Sequence, residues 1–159
     1  MAEQGAVRVA MVCGSPTERD TMARVGGILE RFGVSYDEAE ISPHRAPRAL
    51  ADWVAELELR GVEVVVAVGG VNASLASVVA AHVPMPVVGL PMRGGALNGL
   101  DALLSMVSMS PGVPVACVGL DHSTNAAILA VQILAVADPE LRARLTKFKD
   151  DFELAANRS

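Results

Sequence analysis

Residues 62 to 68 read VEVVVAV, with Gly61 before them and Gly69-Gly70 after. Beyond Glu63 the run does not alternate apolar with polar, so it has no face to give to water. A strand of this kind is stable only when it is covered on both sides, which is the position of an inner strand in a parallel sheet sandwiched between helices. The rest of the chain has to supply the neighbouring strands and both helical layers.

It does so in order. VRVAMVC at 7–13, VSYDEAEI at 34–41, PVVGLP at 86–91 and PVACVGL at 114–120 read as four further strands, each followed by a segment of helical period. Met22, Val25, Ile28, Leu29 and Phe32 recur at the 3-and-4 spacing of one buried helix face that Gly33 ends, and Leu50, Trp53, Val54 and Leu57 mark a second face closed by Gly61. Further helices are expected after Asn72, around Leu100 to Met109 and over NAAILAVQILA, with a last one beyond Pro139 carrying Leu141, Leu145, Phe148 and Phe152. The polar second strand reads as a sheet edge. The pattern predicts an α/β, flavodoxin-like three-layer sandwich with a central five-stranded parallel sheet in the order 2-1-3-4-5. The expected boundaries are a single domain over 1–159, with a core of about 7–137 and a C-terminal helix of about 138–156.

Composition narrows the function classes. Apolar residues make up 52% of the 159 residues but aromatics only 3%, so the core is aliphatic, and its excess points to burial between subunits of a homo-oligomer. A net charge of −5 with no Lys/Arg run gives nucleic acid or an anionic membrane surface nothing to hold. Cys13 and Cys117 fall in apolar runs read as buried strands, which suits a reducing compartment. With neither a signal peptide nor a membrane-length apolar run, a cytoplasmic location is expected. No pair of His, Cys, Asp or Glu has zinc-ligand spacing, and neither a nucleophile elbow nor a GxGxxG fingerprint is present, so no metal or dinucleotide cofactor is expected.

In this fold, ligands bind beyond the carboxyl ends of the strands near the switch in strand order, where the loops GSPTERD, SPHRAP and GGVNAS converge. GSPTERD offers backbone N–H groups with the Ser15 and Thr17 hydroxyls to an anion; taken alone it reads more plainly as a helix cap with Thr17 at the N-cap and Asp20 three residues on. In GGVNAS, Gly70 allows close backbone approach while Asn72 and Ser74 offer hydrogen bonds, or Asn72 simply caps a helix. GGALNG at 94–99 is either a mobile flap or an ordinary glycine-rich loop. His44 is suited to taking and returning a proton near neutral pH, with Arg45 beside it for a phosphate or carboxylate; the plainer alternative is a solvated loop histidine before a helix that Pro47 starts. His82 and His122 read as solvated.

Together these segments resemble the PurE family of N5-carboxyaminoimidazole ribonucleotide mutases and related AIR carboxylases, over nearly the whole chain. GSPTE is similar to that family's GSxSD, SPHRAP to its SAHRTP, and PVVGLP, GLDALLSMVSMSPGVPVACVGL and NAAILAVQILA to its later blocks. The resemblance implies a homo-octamer with sites at subunit interfaces and a C-terminal helix reaching a neighbour. It also implies cofactor-free transfer of a carboxylate to ring carbon C4 of an aminoimidazole ribonucleotide, with CO2 as the intermediate. By position, His44 becomes the proton shuttle, Ser42 and Arg45 hold the phosphate with Ser15 and Thr17, and Glu18 contacts ribose one methylene longer than the family's Asp. Gly70, Asn72 and Ser74 complete the substrate-binding set. The chain departs from the pattern where a loop histidine becomes Ser74 and Pro-Gly becomes Ala76-Ser77, and it is two residues shorter near DHSTN. A paralogue carboxylating or decarboxylating another heteroaromatic nucleotide, or a non-catalytic ribotide-binding oligomer, fits the same residues.

Overall fold

The computed structural model describes residues 6–71 and 73–156. Five parallel strands form one sheet: β1 (Val9–Cys13), β2 (Tyr36–Glu40), β3 (Val64–Gly69), β4 (Val87–Pro91) and β5 (Ala116–Cys117), ordered β2-β1-β3-β4-β5. The helices are α1 (Arg19–Arg31), α2 (Pro47–Leu57), α3 (Ser74–Ala80), α4 (Leu100–Val107), α5 (Ser123–Leu134) and α6 (Pro139–Ala156). Both the expected strand order and the central place of the Val-rich run are found. β3 pairs with β1 and with β4, and each of its residues is buried.

Because side chains alternate across a strand, the sheet divides the core in two. Val9, Met11, Val64, Val66, Val88 and Leu90 face one way, against α1, α5 and α6. Ala10, Val12, Val65, Ala67 and Val87 face the other, against α2, α3 and α4. The anticipated faces of α1 and α2 are buried through Met22, Val25, Leu29 and Phe32 and through Leu50, Val54 and Leu57, with Ile28 and Trp53 at their margins. Gly33 and Gly61 follow these helices at φ 66° and 78°, a conformation that a side chain resists.

The last strand departs from expectation, while the last helix spans almost the expected residues. β5 is only two residues long, at the sheet edge opposite β2, and its Cys117 is half-buried where a buried strand thiol was expected. Leu141 and Leu145 of α6 join the core and Phe148 meets Phe32 edge-on at 5.4 Å, but Phe152 is 71% exposed. No described helix is long and apolar enough to cross a membrane.

Candidate active site

In a parallel sheet every strand points its carboxyl end the same way, so the loops after β1, β2 and β3 meet at one edge. They enclose a cleft of about 170 Å³ between Gly14, Ser15 and Glu18 of the first loop, Ser42, Pro43 and His44 of the second, and the Gly69–Val71 segment of the third. Val68, Ala73 and Leu75 give it an apolar side.

Glu18 ties the first loop to the third. Its carboxylate accepts from the backbone N–H groups of Gly14 at 2.8 Å and Ser15 at 3.1 Å through one oxygen, and from Gly70 N–H at 2.8 Å through the other. The residue is buried although it is charged. Three amide donors offset the desolvation of its carboxylate. The cap of the first loop is therefore Ser15 with Glu18, a reciprocal capping box with Pro16 in the first turn, and the expected Thr17–Asp20 cap is not formed. The Ser-Pro-x-Glu spacing was the available signal, since proline favours the first helical position and glutamate the third.

The second loop folds on itself. Ser42 accepts from Arg45 N–H through its hydroxyl at 3.3 Å and from Ala46 N–H through its carbonyl at 2.9 Å, and Pro47 then starts α2. This tight turn leaves His44 at the cleft and sends Arg45 back over the first loop, where its guanidinium donates to the Gly14 carbonyl at 3.1 Å. Across the cleft, Ser74 Oγ lies 2.9 Å from His44 Nε2. Sequence reasoning had no signal for that pairing, because one residue sits on the β2–α2 loop and the other at the start of α3, 30 positions apart.

Of the expected site residues, Ser15, Glu18, Ser42, His44 and Gly70 line the cleft. Thr17 is exposed and bonds to the Ser15 hydroxyl at 3.0 Å, while Arg45 and Ser74 reach the site through Gly14 and His44 respectively. Asn72, including its expected role as a helix cap, lies outside the described residues; the N-cap of α3 is Ala73. Cys13 sits beneath the first loop, and burial pushes its thiol up to about 11, so it remains protonated and is no nucleophile at neutral pH.

The arrangement places one imidazole beside the Ser15 and Ser42 hydroxyls, with the Arg45 guanidinium behind the first loop, while the Gly14, Ser15 and Gly70 amides are taken by Glu18. That set suits anchoring an anionic group and moving a proton at a neighbouring carbon.

Comparison with known proteins bears on this site. Residues 8–154 match the family model described as AIR carboxylase. An N5-carboxyaminoimidazole ribonucleotide mutase of Pyrococcus abyssi is 42% identical over 153 residues, covering 96% of this chain and 88% of that protein. One from Mycobacterium tuberculosis is 41% identical over 143 residues, covering 90% of this chain and 82% of the relative. In fold, the crystal structure of Treponema denticola PurE superposes with a TM-score of 0.88 at 21% identity, covering 94% of each chain.

Proposed function

The chain belongs to the AIR carboxylase family, and from that membership we propose that it moves or exchanges a carboxylate at ring carbon C4 of an aminoimidazole ribonucleotide in purine biosynthesis, with His44 as proton shuttle. The observation that carries this reading is His44 facing a cleft whose opposite wall is the polar first loop. The ribotide phosphate sits on the Ser15 and Ser42 side, where Arg45 supplies positive charge and Thr17 a further hydroxyl. Gly70 lets the sugar approach the backbone closely. Anchoring the phosphate places the heterocycle at the imidazole, so binding energy remote from the reaction is spent on orientation.

Cleavage of the carbamate N–C bond releases CO2 and leaves the exocyclic nitrogen to be protonated. Carbon C4 then attacks the retained CO2, and His44 takes the C4 proton so that the ring regains aromaticity. One imidazole serves both transfers, giving a proton and recovering one, so its charge state is restored at each turnover.

Self-association to an octamer is part of the proposal. At about 170 Å³ the cleft of one subunit is too small and open to enclose a ribotide alone, and Leu97, Leu100, Leu104 and Val107 leave an exposed apolar surface on and beside α4. The unpaired thiols of Cys13 and Cys117 support a cytoplasmic setting.

Incubation of the purified protein with N5-carboxyaminoimidazole ribonucleotide, following the C4-carboxylated product, tests the reading. Turnover without added bicarbonate supports a mutase, and turnover of the free aminoimidazole ribonucleotide with CO2 supports a carboxylase. Tight ribotide binding with neither reaction would replace both with a binding role.

A further inference from the structure

We propose that Ser74 is a positioning residue that holds the His44 ring in its working orientation through both protonation states. The inference rests on the functional reading above for its kinetic consequences, but not for the contact itself.

His44 lies on an exposed turn of the β2–α2 loop. Ser74 is firmly anchored. It is the first residue of α3, whose Leu75, Ala76 and Val79 are at most 3% exposed, and its carbonyl accepts from Ser77 Oγ at 2.7 Å. Its hydroxyl meets His44 Nε2 at 2.9 Å. The first turn of α3 thus holds a side chain that belongs to the β2–α2 loop.

Ser74 takes the one in-plane site of Nε2, so the proton of the reaction goes on and off the ring at Nδ1. Nε2–H donates to the Ser74 hydroxyl in both the neutral and the doubly protonated ring, so this hydrogen bond survives each half of a proton cycle and the ring need not reorient between them. Ser74 itself does not line the cleft, so its effect on the reaction passes through His44.

The test pairs Ser74→Ala with Ser74→Thr in the full-length protein and uses two readouts. The first is the ring nitrogen and carbon NMR signals of His44, assigned among three histidines by their loss in His44→Asn. The second is kcat and KM with N5-carboxyaminoimidazole ribonucleotide. Ser74→Ala is expected to shift the His44 ring signals and lower kcat by about tenfold, the rate equivalent of one well-placed hydrogen bond, with KM within about threefold. Ser74→Thr, which keeps the hydroxyl, is expected to restore both. Unmoved ring signals in Ser74→Ala overturn the proposal, and so does a raised KM with unchanged kcat, which marks a substrate contact instead. If the parent protein turns over no substrate, the functional reading fails while the ring signals still decide the role of Ser74.

Discussion

Glu18 shows how one side chain sets a site without reacting. Its carboxylate is the acceptor for amides on two loops, including Gly70 52 residues away, so it fixes the distance between the first loop and the β3–α3 loop. Glu18→Gln keeps the shape but turns an NH2 toward backbone N–H groups. It is expected to cost about 1–3 kcal/mol in chemical denaturation, the penalty for buried donors left without an acceptor, and to weaken ribotide binding in the same variant. His44→Asn separates chemistry from binding: turnover should vanish while ribotide affinity, measured by calorimetry, stays within roughly tenfold. Arg45→Ala should do the reverse and weaken affinity first, because the guanidinium lies behind the first loop.

Two elements carry predictions of their own. β4 is narrow at Gly89, where an added Cβ would stand 2.7 Å from Val115 Cγ1 and 2.9 Å from Met106 Sδ. Gly89→Ala must displace the Val115 and Met106 side chains and is expected to cost about 1–3 kcal/mol, read from the urea midpoint. At the start of α6, the Leu141 backbone N–H donates to Asp138 and holds its carboxyl below the usual range, with Arg8 adding to the effect. A depressed carboxyl contributes stability above its ordinary pKa of 3.8, and that contribution is lost as pH falls through the lower folded value. Asp138→Asn keeps a capping side chain but removes the charge, so the urea midpoint of the variant should fall less steeply with acidification than that of the parent.

For the whole molecule, the exposed stripe of Leu100, Leu104 and Val107 at spacings of 4 and 3 repeats the pattern of a buried helix face on a face this subunit leaves open. Leu100→Glu with Leu104→Glu should reduce the mass in light scattering toward the 16.5 kDa subunit, and lower activity with it if a neighbour completes the cleft. The sequence by itself determined the sheet, because a run such as VVVAV has one stable environment and the 3-and-4 spacings of Met22 to Phe32 and Leu50 to Leu57 dictate what covers it. It also marked Ser15, Ser42 and His44 as loop residues at the ends of neighbouring strands, since strand order alone brings those ends together. It did not determine which cap closes the first loop, that Glu18 spans to Gly70, or that Ser74 meets His44. Periodicity encodes which face of an element is buried, whereas hydrogen bonds between loops depend on distances that exist only once strands far apart in sequence have been paired in register.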